Sequence, residues 1–233
     1  MRRNRIIKYL MVSCGIVLLS FLTGCLTIRP LPLSEETSEL RLEKESLAIY
    51  TVQMANQYKV DYQPEVHTVT VVTTDKAEKA IIRFGSTTTN ALDPFERAEK
   101  QYNRYLISMS LPAGKYRLAY VNGSSKALLI RGNFQAVIFS DFEIGPNKVL
   151  YLGRIEATLR ERKSDDEPSA GSIMPFIDQA ATGFGSGTFD VTISDKYEED
   201  IALFKNKYSV LNQVVPEKAI LGPWKRPSKN DEP

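Results

Sequence analysis

Residues 105–123 read Tyr-Leu-Ile-Ser-Met-Ser-Leu-Pro-Ala-Gly-Lys-Tyr-Arg-Leu-Ala-Tyr-Val-Asn-Gly. Tyr105 to Leu111 alternates apolar and polar, Pro112-Ala113-Gly114 turns the chain, and Lys115 to Val121 alternates again. In that second run Tyr116, Leu118 and Tyr120 share one face, with Arg117 opposite. Asn122-Gly123 follows as a strong turn signal. Period-two patterning between Gly- and Pro-marked turns is the signature of short paired strands.

The same rhythm extends in both directions. Toward the C-terminus come Ala127 to Ile130, Phe134 to Ile144, a Gly145-Pro146-Asn147 turn, Val149 to Leu159, and Thr188 to Ile193 with Phe189, Val191 and Ile193 inward. Toward the N-terminus come Leu47 to Val52, Val66 to Thr74 and Ala80 to Phe84, rich in β-branched and aromatic residues. Turn signals roughly every 8 to 12 residues predict a mainly β, antiparallel β-sandwich. Two short helices interrupt it. Asp93, Pro94 and Glu96 resemble a capped helix start, predicting a helix from about Pro94 to Asn103. Asp195 with Glu198 predicts a second, whose stripe of Tyr197, Ile201, Phe204 and Tyr208 packs on a sheet. Residues 163–187 break the pattern with a polar run, an apolar island from Ile173 to Ile177 and the glycines 183 to 187. A loop this long in a compact domain is the leading candidate for a partner contact. Residues 216–233 read as an extended tail whose lone Trp224 docks on its own domain.

Leu-Pro-Ala-Gly-Lys-Tyr-Arg-Leu at 111–118, followed by Phe-Glu-Ile-Gly-Pro-Asn-Lys-Val-Leu-Tyr-Leu-Gly-Arg-Ile at 142–155, resembles a pattern of prealbumin-like (transthyretin-like) sandwiches in bacterial lipoproteins, several of them domains of unknown function. The resemblance implies an architecture and no activity.

The N-terminal 25 residues imply an address. Arg2, Arg3, Arg5 and Lys8 precede an apolar run from Tyr9 to Phe21, the order of a secretory signal. Leu22-Thr23-Gly24-Cys25 then resembles the lipobox of bacterial lipoproteins. That resemblance implies cleavage before Cys25, acylation of its thiol, and anchoring without a transmembrane helix. With Leu26 rather than aspartate after the cysteine, it implies the outer membrane, facing the periplasm, in a bacterium with two membranes. An uncut signal anchor over Tyr9 to Ile28 is the competing reading. The expected organisation is a signal peptide (1–24), a lipidated N-terminus and solvated tether (25–46), a sandwich (47–215) and a tail (216–233).

Removal of the signal takes four of the 30 basic residues and none of the 28 acidic ones, so the mature chain is mildly acidic. It lacks the concentrated positive field that nucleic-acid binding needs. The only cysteines are Cys14 and Cys25, which leaves the mature domain no disulfide and no thiol catalysis. His67, the single histidine, lies in a strand run on the side of Val69 and Val71 and reads as structural. One histidine cannot build a nitrogen-rich metal site, and no Gly-x-Ser-x-Gly or Walker A loop is present. Asp165, Asp166, Glu167 and Asp178 are the acids that could gather around calcium or serve a paired-carboxylate hydrolase. The reading that follows is a membrane-anchored envelope module, non-enzymatic and without a cofactor, that receives a protein or glycan partner. An acid-dependent hydrolase or carbohydrate-active enzyme, and an accessory subunit of a secretion or transport assembly, are the alternatives.

Overall fold

The computed structural model describes residues 27–75, 79–88, 90–127, 130–172 and 181–228. The signal segment, Cys25, the Ile173–Ile177 island and Asp178 lie outside the described residues. Among the described residues no helix is long and apolar enough to cross a membrane.

The chain is mainly β. Its strands are β1 (Ile28–Arg29), β2 (Ser46–Asn56), β3 (Glu65–Thr73), β4 (Ile81–Gly85), β5 (Glu96–Ala98), β6 (Tyr102–Leu111), β7 (Gly114–Ala127), β8 (Ile130–Ile144), β9 (Val149–Glu161), β10 (Gly187–Ser194) and β11 (Glu217–Lys218). Among the described residues one α-helix, α1 (Tyr197–Lys207), follows β10. One sheet has the order β1-β4-β3-β7-β8 and the other β10-β9-β2-β6-β5, with β11 extending the β10 edge along β9. Both sheets are mixed rather than antiparallel, because β1 pairs with β4, β2 with β9, and β11 with β9 in parallel. The β2–β9 pairing joins Leu47 to Val149, residues far apart in sequence. No local turn signal can announce such a partner, so hairpin logic predicted only antiparallel neighbours.

The sheets share one core. Tyr50, Val52, Met54, Ile107, Met109 and Leu152 from one sheet meet Val69, Val71, Phe84, Leu118 and Ile138 from the other. Bulges set which residues take part, since an extra residue exchanges the two faces of a strand. In β3 the extra residue is His67, so Val66, Val69 and Val71 all point inward and the histidine does not share their side. In β7 it is Ala119, which turns Tyr120 out of the face that holds Tyr116 and Leu118. In β9 two residues, Leu152 and Gly153, stand where β2 has only Tyr50, and Gly153 takes a φ of 106°. Leu150 and Leu152 face inward before that bulge, and Ile155, Ala157 and Leu159 after it.

Two turn and helix expectations fail for physical reasons. Asn122-Gly123 lies in mid-strand, paired with Gln135 and Phe134. A Cβ on Gly123 would come 2.0 Å from the Glu65 carbonyl oxygen and 2.6 Å from the Phe134 ring, so the glycine serves a close approach instead of a turn. The segment from Pro94 to Asn103 is not helical. It forms β5, a tight turn with Lys100 at φ 57°, and the start of β6. Glu96, the expected capping carboxylate, instead accepts from the Tyr102 hydroxyl at 2.7 Å and pairs with Arg104 at 2.8 Å. A ten-residue helix is marginal on its own, and ladder pairing that starts the long β6 strand outcompetes it.

The second helix forms, but its N-cap is Lys196, which makes no side-chain cap hydrogen bond, rather than the expected pair of Asp195 and Glu198. Asp195 Oδ1 accepts from the Tyr197 backbone N–H at 3.0 Å at its start. Ile201, Phe204 and Tyr208 pack on Leu47, Ile49, Leu106, Val149 and Tyr151, the outward residues of the second sheet. The segment expected as a solvated tether is fastened. Ile28 and Arg29 pair with Arg83 and Phe84, Leu33 is buried with its N–H on Ser108 Oγ at 3.3 Å, and Leu40 and Leu42 lean on the same cluster as α1. The tail is fastened too: the Ala219 and Leu221 N–H groups donate to the carbonyls of Tyr151 and Leu152, and Trp224 Nε1 donates to the Val137 carbonyl at 3.0 Å.

Candidate functional site

The outer faces of the two sheets have different fates. On the second sheet, α1 and the segment around Leu33 cover the outward side chains. At the centre of that cover the β9 bulge aims Tyr151 and Arg154 at Asp200, which is fully buried on α1. Tyr151 donates its hydroxyl to Asp200 Oδ2 at 2.6 Å, and Arg154 Nε donates to Oδ1 at 3.0 Å. Arg154 also pairs with Glu199 at 3.1 Å. Burial, then the adjacent carboxylate, pushes the Tyr151 hydroxyl far up, so it remains a hydrogen-bond donor. Tyr151, Arg154 and Asp200 face one another and fasten helix to sheet, while Glu199 stands at the surface beside a hollow.

On the first sheet the outer face carries a hollow of about 300 Å³ that crosses all five strands. Ile28, Ile81 and Arg83 form one side, Thr68, Thr70 and Val72 the floor, and Tyr120, Asn122 and Gln135 the other side. Its amides are pre-oriented: Asn122 Nδ2 donates to Thr70 Oγ1 at 3.2 Å, and Gln135 Nε2 donates to Asn122 Oδ1 at 3.1 Å. Beside it the β8 bulge holds Phe139 at a φ of 46°, a conformation rarely adopted by a bulky residue. The bulge sets the Phe139 ring edge-on to Tyr120 at 5.5 Å, with the Arg117 guanidinium 5.9 Å from its centroid and held by Asp141 at 2.6 Å. Strained backbone of this kind collects at places where a side chain must be aimed. Arg83 makes no ion pair among the described residues. Apolar rings next to planar amides and a cation form a surface suited to a polar ligand with a flat face.

A second hollow, of about 350 Å³, lies at the end of the sandwich between Asp61, Glu65, Arg97 and Lys100. Four of its charges pair, Arg97 with Glu65 at 3.3 Å and Lys100 with Asp61 at 2.9 Å, and Glu99 and Lys126 also line it.

The residues singled out from sequence do not converge. His67 rests Nε2 on Ser124 Oγ at 2.9 Å, and partial burial, then the positive charge of Arg131, lower its pKa. Glu167 is gripped by Arg160, whose Nη1 reaches Oε2 at 2.8 Å, and by the Lys163 N–H at 2.7 Å. These contacts hold its pKa down at about 2. Asp165 pairs with Arg162 at 3.7 Å. Among the described residues no three metal-ligating side chains come together. The flanks of the 163–187 loop fold back onto the sandwich: Ala170 and Phe184 enter the core, and the Gln135 N–H donates to the Ala170 carbonyl at 2.8 Å. Sequence reasoning missed Tyr120 and Phe139 because bulges broke the alternation that would have placed them outward, and Arg83, on the regular strand β4, because a lone outward charge carries no signal of its own.

No protein-family model, curated protein or solved structure matches the chain.

Proposed function

We propose that this chain is a lipid-anchored cell-envelope lipoprotein that works as a binding or structural module, held at the membrane through Cys25, with a prealbumin-like sandwich as its folded part. The signal-like N-terminus and the Leu22-Thr23-Gly24-Cys25 sequence support the address. Two mixed sheets packed on one core, with Gly114 opening β7 and a turn at 145–147 between β8 and β9, support a sandwich, and the sequence pattern at 111–118 and 142–155 supports the prealbumin-like reading of it. The observation that carries the functional reading is the asymmetry of the two sheets. One outer face is sealed by a helix, while the other presents a polar and aromatic hollow with Phe139 held on strained backbone beside it. The side of that open face formed by Tyr120, Asn122 and Gln135 receives the protein or glycan partner, and the membrane holds it in place.

Two measurements test this. Mass spectrometry of the mature N-terminus reads acylation, and fractionation of cells expressing Cys25→Ser reads location; an unmodified, still membrane-bound variant refutes the anchor. A photo-crosslinking residue at Tyr120, in intact envelopes, captures the partner. Capture equally strong from a residue on α1, such as Lys205, refutes the assignment of the open face.

A further inference from the structure

We infer that the corner formed by β1 and the start of β4 lies directly against the phospholipid surface, with Ile81 in the headgroup layer. This rests on acylation at Cys25 as proposed above. A 20-residue tether would leave the domain free to point any way, but β1 removes that freedom. Ile28 is already paired with Arg83, and only Leu26 and Thr27 separate it from Cys25. Three peptide steps reach about 11 Å at full extension. The fold therefore begins within one headgroup depth of the acyl chains.

The direction of β1 selects the corner. Its pairing with β4 is parallel, Ile28 to Arg83 and Arg29 to Phe84, so the chain enters beside the first residues of β4. Ile81 stands there at 50 % exposure, among the most exposed large apolar side chains described. Arg83, which makes no ion pair among the described residues, follows two positions later and suits a phosphate-bearing surface. The entry point is itself held down. Arg29 pairs with Glu45 at 3.6 Å and lies 5.9 Å from the Phe84 ring centroid, and Leu33 is buried behind it. Val60, exposed to a similar 46 %, lies in the β2–β3 connection, while Ile81 pairs with Val72 near the far end of β3. The two are about eight residues apart along the strand, roughly 25 Å. Orientation and exposure of apolar side chains therefore make separate predictions.

The test uses the sole tryptophan, Trp224, as a built-in far reporter on the β8 edge. Single-tryptophan variants Ile81→Trp and Val60→Trp, each with Trp224→Phe, are prepared as the mature chain. Cys25 is coupled to a maleimide lipid in phosphatidylethanolamine–phosphatidylglycerol vesicles containing brominated phospholipid. The expected result is loss of roughly half the emission at position 81, where an interfacial tryptophan meets the acyl boundary, with positions 60 and 224 unchanged. Equal quenching at 60 and 81, or none at 81, overturns the orientation. Because the lipid is attached chemically, this result stands apart from natural acylation, which mass spectrometry of the cellular protein reads separately.

Discussion

Asp200 is the residue on which the covered sheet depends most. Its carboxylate is fully buried and is held by the Tyr151 hydroxyl and the Arg154 guanidinium. Removing the carboxylate leaves the buried Tyr151 hydroxyl without its acceptor and Arg154 with Glu199 alone, and breaking a buried pair of this kind costs up to about 3–5 kcal/mol. Asp200→Ala is therefore expected to lower the urea midpoint sharply with the slope unchanged. Asp200→Asn, which keeps an acceptor for Tyr151, should lose less. Glu167 gives a pH-dependent counterpart. Its pKa in the fold is held down at about 2, first by Arg160 and then by the Lys163 N–H, below its ordinary value of 4.5. A depressed carboxylate stabilises the fold above its unfolded pKa and loses that contribution as pH falls through the folded value. Stability should decline between about pH 4.5 and 2, and Glu167→Gln should flatten that part of the profile in unfolding titrations; an unchanged profile would show that Arg160 does not grip this carboxylate in solution. None of these partnerships could be read from sequence. Asp200 looked like one acid among three at the start of a helix, and Glu167 like a loop residue, because their partners lie 46 and 7 positions away.

Among the elements, the strands with unbroken alternation were legible. Leu47–Val52 falls within β2 and Thr188–Ile193 within β10, with Phe189, Val191 and Ile193 inward. The α1 stripe packs on a sheet as its spacing implied. Illegible were the elements whose local signal conflicts with a distant partner: Pro94–Asn103, which pairs instead of coiling, and Gly123, whose missing side chain makes room for Phe134. The open face was illegible for a related reason, since Tyr120 reads as a core residue until the Ala119 bulge is seen. The tail shows that a polar, proline-rich segment can still act as an element. Leu221 is buried, Trp224 donates to β8, and Arg226 reaches Thr188 Oγ1 at 2.9 Å and the Phe189 carbonyl at 3.2 Å on β10. It thus straps the open side between the edges of the two sheets. Trp224→Ala removes apolar contact and a hydrogen bond together, a loss of about 2 kcal/mol. Truncation after Gly222 should cost more, through the added loss of Arg226. Thermal unfolding of the two variants checks the order; equal, negligible shifts would mean that the tail merely rests on the surface.

For the molecule as a whole, the decisive fact is that the N-terminal strands close on the C-terminal ones. β2 is locked between β6 and β9, α1 seals β2 and β9 together, and residues from both ends of the chain share one core. The second sheet draws strands from both ends of the chain and shares its core with the first, so unfolding should be a single cooperative transition. Trp224 sits on the β8 edge, whereas the far-ultraviolet signal reports all strands, so the two probes sample different parts of that transition. Their urea curves should coincide in the mature chain carrying Cys25→Ser. An earlier fluorescence midpoint would show that the strap detaches from a core that remains folded. The same variant, prepared as residues 25–233, has no cysteine, because Cys14 lies outside it. Its midpoint should therefore be indifferent to reductant. A fold with no disulfide relies on burial and on buried polar pairs such as Asp200 with Arg154. Combining Asp200→Ala with removal of the tail should consequently unfold the domain at ordinary temperature, since typical domain stability is only about 5–15 kcal/mol. A double variant that still melts cooperatively above that temperature would place the main stabilisation elsewhere in the core.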